Sequence, residues 1–148
     1  TRGGPTMVEF SAQANALLGS DAVAHVWTNN PDGTPQVSVV WVIARGDEIL
    51  FGTSATSQKA RNLARDDRIV LSIEDTERNE RGYQRHLLVR GNARIDPGPD
   101  PVLMDELAMK YLGLQRHPLA VRDEPSSVVV RVAIERISGV GPWVDHLA

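Results

Sequence analysis

Cysteine is absent from this chain of 148 residues. Without it there can be no disulfide, no thiolate metal site and no cysteine nucleophile. No apolar run approaches the roughly 20 residues that a transmembrane helix needs. The N-terminus also lacks the basic-then-apolar order of a signal peptide. These absences predict a soluble, cytoplasmic protein with no membrane partner.

An excess of positive charge is lacking as well. Lysine and arginine number 16 against 19 aspartate and glutamate residues, a formal net charge of −3. A mildly acidic surface repels a phosphate polymer unless basic groups are concentrated locally, so no nucleic-acid partner is expected. The four histidines are too scattered to form a ligand pair at helical or hairpin spacing, so no metal site is expected either. They are His25, His86, His117 and His146.

Apolar residues make up 41% of the chain, which is enough for one packed core. A length of 148 residues is too short for two domains. Residues 1–6 show no apolar period and are expected to be a tail. Residues 7–148 are expected to form a single domain.

Short apolar segments alternate with turn-forming residues along most of the chain. The patterns predict strands over 22–28, 36–43, 48–52, 68–73, 86–95 and 127–137. Helices are predicted over 11–18, from about residue 57 onward, and over 101–112. Tight turns join most strands, whereas parallel pairing would need long crossovers. The sequence therefore predicts a mainly β fold, a six-stranded antiparallel barrel with flanking helices, in which closure removes exposed edges.

The segment GTSATSQKARNL, residues 52–63, crowds polar side chains where a strand becomes a helix. A helix start presents unpaired N–H groups and the positive end of the helix dipole, so it attracts an anion. Thr53, Ser54 and Ser57 add hydroxyl donors, and Lys59 adds a charge. Alternatively, Ser57 only caps the helix and Lys59 is solvated. Three hydroxyls on both sides of the turn favour a phosphate site, since a cap needs only one.

This segment resembles the cofactor segment of the FMN-binding split-barrel proteins related to pyridoxamine-phosphate oxidase. The resemblance spans most of the chain and rests on the order and spacing of several short motifs. They are Phe51–Ser54, Ser57–Lys59, Asn62–Leu63, Asp66–Arg68, Gly33–Ser38 within a hairpin from Trp27 to Trp41, and Leu88–Ala93. It implies that the barrel is split, and that the strand-end threonine and serine and the Ser-x-Lys segment grip a cofactor phosphate.

Two departures shift the expected activity away from vitamin B6 oxidation. Gln58 stands where the oxidase has arginine, and the ending Ile137–Trp143 replaces an arginine-bearing segment. The segments Pro35–Ser38 and Gln58–Leu63 and the terminal Gly-Pro-Trp are more similar to the actinobacterial branch that uses the deazaflavin coenzyme F-420. FMN stays the alternative cofactor, because both present a phosphate and a planar tricycle.

The resemblance also implies where the cofactor lies. The backbone of Val37, Ser38 and Val39 would face the ring edge, and the phosphate would sit on the turn and helix start. In this family a second subunit completes the site, so a homodimer is expected, with Tyr83–His86 or Trp143 crossing between subunits. Lys59, Arg61, Arg81 and Arg85 are candidates for binding the acidic tail of F-420, although for each arginine taken alone the mixed charges of the loop favour a solvated surface position. The residues expected to bind the cofactor are Gln36, Val37, Ser38, Val39, Gly52, Thr53, Ser54, Ser57, Gln58, Lys59, Arg61, Tyr83, Arg85 and Trp143.

Flavins and deazaflavins carry hydride transfer themselves, so no dedicated catalytic residue is expected. The first hypothesis is an F-420-dependent oxidoreductase that passes hydride to a conjugated, electron-poor small molecule. The second is an FMN-dependent oxidoreductase of the same fold. The third is a carrier that binds flavin, deazaflavin or haem without turnover. Trp27 and Trp41 are expected to pack in the core or a dimer interface rather than to stack on the ring.

Overall fold

The computed structural model of the chain describes residues 9–118 and 124–144, so the tail predicted over 1–6 lies outside the described residues. The described residues form seven strands and three helices. The strands are β1 Ala24–Asn29, β2 Pro35–Val40, β3 Ile43–Arg45, β4 Glu48–Ser54, β5 Arg68–Arg78, β6 Gln84–Pro97 and β7 Ser127–Val140. The helices are α1 Ala12–Leu18, α2 Gln58–Arg65 and α3 Pro101–Leu112.

All strands belong to one antiparallel sheet in the order β2-β1-β5-β6-β7-β4-β3. The mainly β, antiparallel prediction is confirmed. Within the described residues β2 and β3 are the end strands and are not paired with each other, so the barrel is split rather than closed. One edge of β2 therefore has no neighbouring strand. At this edge, every second residue of β2 presents its backbone N–H and C=O away from β1.

The sheet has seven strands rather than six because the segment expected as one strand over 36–43 breaks at Trp41 and Val42. Two α3 side chains take the Val42 backbone groups that a continuous strand would offer to a neighbour. The Val42 N–H donates to Tyr111 Oη at 3.1 Å, and the ammonium of Lys110 donates to the Val42 carbonyl. The residues before the break pair as β2 with β1, and the residues after it pair as β3 with β4.

The core lies inside the curved sheet, and a second apolar cluster lies under α3. Adjacent residues of β4 serve both, since successive side chains point to opposite faces of a strand. Phe51 is fully buried in the main core, whereas Leu50 packs with Leu103 and Leu107 of α3. The sheet is thus covered on both faces where β4 leads into the turn before α2.

Helix boundaries follow their capping residues. Ser11, Ser57 and Asp100 each accept a hydrogen bond from the amide three residues on, and Gly113 ends α3 with a left-handed φ of 70°. All three helices therefore start close to the predicted positions, and α1 and α3 also end where predicted. Among the residues that the structure describes, no helix is long and apolar enough to cross a bilayer.

Lys110 ties α3 to two other parts of the fold, because its ammonium donates to the carbonyls of Leu18 and Val42. Burial lowers the pKa of Lys110 to about 8, an effect that the nearby Asp21 carboxylate only partly offsets. A free lysine has a pKa of roughly 10.4. Between the folded and the unfolded pKa, the unfolded chain therefore binds more protons at this lysine than the folded chain does.

The free energy of unfolding should therefore contain a component that rises with pH from about 8 towards 10, and the Lys110→Met variant should lack it. Urea unfolding of both proteins between about pH 7.5 and 9.5 measures this difference before Tyr111, whose pKa is raised by burial, begins to titrate. Identical pH slopes in the two proteins would show that Lys110 is not desolvated as the structure has it.

Candidate functional site

The turn from β4 into α2 forms the centre of the candidate site. Ser57 is the N-cap: its Oγ accepts from the Ala60 amide at 3.2 Å, and its carbonyl accepts the first helical bond, from Arg61, at 3.1 Å. The amides of Gln58 and Lys59 precede that first bond and have no helical acceptor. Two N–H groups therefore point out of the helix start, where the positive end of the dipole lies.

The three hydroxyls predicted as phosphate donors also shape the turn. Thr53 Oγ1 donates to Ser57 Oγ at 3.1 Å, and Ser54 Oγ lies 2.9 Å from Thr56 Oγ1. Ser54 Oγ accepts from the Thr56 amide as well, at 3.2 Å. Because Ser57 Oγ accepts two hydrogen bonds, its own hydrogen remains available to an acceptor outside the loop. Ser57 therefore caps the helix, and its role in binding an anion stays a prediction.

Lys59 follows directly and lies half-buried at the edge of a cavity. Among the described residues no carboxylate pairs with it, and burial lowers its pKa. The cavity has a volume of about 280 Å³ and is lined by Val39, Val40, Trp41, Gly52, Lys59, Met104 and Leu107. A desolvated ammonium that has no counter-ion among the described residues, next to two amides without a helical acceptor, is suited to an anionic group.

A chain of hydrogen bonds links β2 to the start of α2. Gln36 Oε1 lies 3.4 Å from Thr28 Oγ1, which accepts from Asn62 Nδ2 at 3.0 Å. Asn62 Oδ1 in turn accepts from Gln58 Nε2 at 2.8 Å. The other end of the Gln58 amide holds the Arg61 guanidinium at 2.7 Å. Gln58 therefore positions a cation, Arg61, at the helix start instead of presenting one itself.

Asn62 fixes α2 to the core, a role that the sequence analysis did not assign to it. It is completely buried and shares the inner face of α2 with Ala60 and Leu63. Its amide also donates to Asn30 Oδ1 at 3.0 Å. The sequence did contain a signal for this role: a polar side chain lies on the apolar face of a short helix, and such a group must find hydrogen-bond partners when it is buried.

Replacing Asn62 with leucine should lower the free energy of unfolding by about 1–3 kcal/mol, because the buried groups of Thr28 and Gln58 lose their partner. Chemical unfolding measures this directly. Ala64→Leu, on the exposed face of the same helix, is the matched control and should change stability little. Equal stability of the Asn62→Leu protein and wild type would mean that the buried network does not anchor α2.

On β2 the predicted ring-edge residues alternate between exposed and sheltered positions. Val37 and Val39 are 47% and 55% exposed. Ser38 lies between them, opposite Val26 of β1, and its Oγ is buried without a hydrogen-bond partner among the described residues. A buried hydroxyl lacking a partner on a strand with a free edge is consistent with a ligand binding there.

The structure does not bring Tyr83, Arg85 and Trp143 to this place within one chain. Ser54 pairs with Ser127 at the start of the 14-residue strand β7, whereas Trp143 follows the end of that strand. The indole is 9% exposed and donates from Nε1 to the carbonyl of His86 at 2.9 Å. Their part in a site shared between subunits stays a prediction.

Arg85 and Trp143 instead line a different cavity, of about 490 Å³. The Arg85 guanidinium lies 5.5 Å from the Trp143 ring centroid. Its Nε is 2.9 Å from Asp75 Oδ2, close enough for an ion pair although not aligned as a hydrogen bond. In the described part of the chain, no three acidic or histidine side chains come together in a way that could hold a metal ion.

A protein-family model described as pyridoxamine 5′-phosphate oxidase matches residues 10–141. No protein with curated function matches the chain. Among solved structures, an F-420 reductase is 30% identical, with a TM-score of 0.71 and coverage of 84% of this chain and 94% of that one.

Two more distant structures show the same fold. A conserved hypothetical protein from Mycobacterium tuberculosis is 24% identical over 96% of this chain and 92% of its own, with a TM-score of 0.72. General stress protein 26 from Bacillus anthracis is 13% identical over 84% of this chain and 88% of its own, with a TM-score of 0.61. At these identities the similarity is one of fold.

Proposed function

Because the chain belongs to the pyridoxamine 5′-phosphate oxidase family, we propose that it is a cytoplasmic oxidoreductase that binds coenzyme F-420. It would pass hydride from the reduced cofactor to a conjugated, electron-poor small molecule. The observation that carries the proposal is Lys59, a half-buried ammonium with no counter-ion among the described residues, beside the acceptor-free amides that begin α2.

These groups supply what a phosphate needs. The amides of Gln58 and Lys59 and the hydroxyl of Ser57 are donors, while Lys59 and Arg61 supply charge. Arg61 is already held at the helix start by Gln58, so its ordering costs little on binding. The choice of F-420 rests on the 30% identity to an F-420 reductase, and on Gln58 and the Gly-Pro-Trp ending.

The bound deazaflavin supplies the hydride, and the protein binds, orients and shields it. The free edge of β2 offers backbone donors and acceptors to a ring edge, next to the buried hydroxyl of Ser38. Trp41, Met104 and Leu107 give the cavity an apolar wall. At about 280 Å³ the cavity is small for the whole cofactor, so part of a bound cofactor would lie outside it.

Titration with F-420 and with FMN, followed by tryptophan fluorescence, tests the cofactor. We expect tight binding of F-420 and weak binding of FMN. The reverse order would support the FMN-dependent oxidoreductase. If F-420 binds but its reduced form is not oxidised by a panel of quinones, enones and tetrapyrroles, the protein is a carrier.

We further propose a homodimer in which the outer face of the sheet is buried. Cross-strand neighbours on that face are His25 with Val39 and Trp27 with both Val37 and Val70, a largely apolar patch on an end strand. A second subunit could bring Tyr83 or Trp143 to the turn before α2, which one chain does not.

Sedimentation equilibrium should give about twice the 16.2 kDa of one chain. A monomer at micromolar concentration would contradict this arrangement.

A further inference from the structure

The hydrogen-bond chain between α2 and β2 has a fixed direction. A guanidinium can only donate hydrogen bonds, so the atom that meets it must be an acceptor. Arg61 donates to Gln58 Oε1 at 2.7 Å, which leaves the Gln58 amide nitrogen to donate to Asn62 Oδ1 at 2.8 Å. Arg65 approaches the same Asn62 oxygen at 3.4 Å, so a second guanidinium also requires an acceptor at that position. The orientation of the Asn62 amide is therefore set by two groups that can only donate.

The same direction continues into β2. Asn62 Nδ2 donates to Thr28 Oγ1 at 3.0 Å and to Asn30 Oδ1 at 3.0 Å. Because the Thr28 hydroxyl accepts one of these bonds, its own hydrogen remains to be donated. The acceptor is Gln36 Oε1, at 3.4 Å. The Gln36 amide therefore turns its oxygen towards Thr28, and its Nε2 has no hydrogen-bond partner among the described residues.

Gln36 lies beside the free edge of β2. The Asn30 N–H donates to the Thr34 carbonyl at 2.9 Å, and bonded and non-bonded residue pairs alternate along an antiparallel ladder. Gln36 therefore directs its backbone groups to β1, whereas the N–H and C=O of Val37 point to the free edge. Ser38 shares the inner face of β2 with Gln36, and its buried Oγ also lacks a partner within the described part of the chain. Unused donors and acceptors are thus concentrated on three consecutive residues.

This arrangement specifies the chemistry of the ligand edge that would bind it. The Gln36 amide nitrogen and the Val37 N–H both require acceptors, and the Val37 carbonyl requires a donor. A heterocycle with carbonyl oxygens on both sides of a ring N–H meets all three requirements. The pyrimidinedione end of a flavin or deazaflavin has this pattern, whereas the benzenoid end of the same ring system does not.

We propose that Gln36 donates a hydrogen bond from Nε2 to a ring carbonyl oxygen of the cofactor, and that Thr28 is the positioning residue that turns the Gln36 amide for this contact. The pyrimidinedione end of the ring then faces β2. This inference rests on the proposed function, and it applies equally to FMN, which carries the same ring carbonyls. The network that fixes α2 to the core thereby also determines which ligand atoms β2 accepts.

Fluorescence titration of Gln36 variants with F-420 tests the donor. Gln36→Leu removes the amide and should raise the Kd for F-420 about fivefold. Gln36→Glu has nearly the same shape but places a carboxylate oxygen against the ring carbonyl, so it should raise the Kd at least about tenfold. Gln13→Glu makes the same charge change at an exposed position of α1 and is the control, with an unchanged Kd.

Variants of Thr28 test the positioning role. Thr28→Val keeps the shape of this buried side chain but cannot donate to Gln36, so the Kd should rise about threefold. Thr28→Ser keeps the hydroxyl and should bind F-420 as wild type does. The infrared carbonyl band of bound F-420 is a second readout, because a hydrogen bond lowers its frequency. This band should lie at higher frequency in the Gln36→Leu and Thr28→Val complexes than in the wild-type complex.

Equal F-420 affinity in wild type and both Gln36 variants, or an identical carbonyl band in the Gln36→Leu complex, overturns the inference and leaves the proposed function intact. An unchanged Kd in a folded Thr28→Val protein overturns the role of Thr28. If Thr28→Val does not fold, the two Gln36 variants decide the inference. Tight binding of FMN in place of F-420 would refute the cofactor assignment, and the same Gln36 variants should then weaken FMN binding. Binding of neither cofactor to wild type would overturn both proposals.

Discussion

A Lys59→Ala variant should bind the phosphate-bearing cofactor about 10- to 100-fold more weakly than wild type. A hydrogen bond to a charged group contributes about 1.5–3 kcal/mol, and the half-buried position of Lys59 keeps water from screening it. Stability should hardly change, because within the described residues Lys59 has no ion pair to lose. Its pKa is lowered by burial, so the free protein gains little from carrying that charge.

Fluorescence titration of Lys59→Ala and of Arg94→Ala separates a specific contact from a general loss of charge. Arg94 is exposed near the end of β6 and, among the described residues, forms an ion pair with Asp96; its removal lowers the net charge equally. Lys59→Arg should retain part of the affinity, since it restores the charge with a different shape. Equal weakening in the Arg94→Ala protein, or no weakening in Lys59→Ala, would remove Lys59 from the site.

Replacing Gly91 with alanine should lower the free energy of unfolding by about 3 kcal/mol or more. Gly91 lies at a β-bulge: Arg90 pairs with Arg136 while Gly91 pairs with Ile134, so no residue of β6 lies opposite Glu135 in the strand register. A Cβ on Gly91 would overlap the carbonyl oxygen of Ala133 and lie 3.1 Å from Val132 Cγ1. The obstacle is backbone in the longest strand pair of the sheet, so it cannot move aside cheaply.

Gly52→Ala is the matched control for this effect. A Cβ there would meet the Met104 sulfur at 3.2 Å, and that flexible side chain can adjust. Urea unfolding should therefore show a large loss for Gly91→Ala and a small change for Gly52→Ala. Similar midpoints for the two variants would mean that the bulge tolerates a side chain.

Local signals predicted the local features of the fold. The cap at Ser57 placed the start of α2, because a cap acts through neighbouring backbone groups. The alternating apolar residues of β7 placed its buried face. The proposal that the start of α2 binds an anion rests on the same local chemistry.

Features that depend on distant residues could not be predicted. The break at Trp41 and Val42 is enforced by Lys110 and Tyr111, and no pattern near residue 41 records it. Strand β5 extends to Arg78 rather than ending at residue 73, because its polar end is paired with β6.

Contacts across the fold also assigned side chains that the sequence left open. Trp143 was placed in the core by the bond to the His86 carbonyl. Gln58 was interpreted from sequence as a weaker phosphate ligand, whereas its contacts to Asn62 and Arg61 make it a link between the core and a surface cation.

The central claim is that a cofactor phosphate binds at the start of α2, and a crystal structure of the protein with F-420 bound tests it most directly. The account predicts phosphate oxygens within about 3.2 Å of the backbone nitrogens of Gln58 and Lys59. It also predicts the Lys59 ammonium beside them. A phosphate located elsewhere, with these two amides facing solvent, would contradict the account.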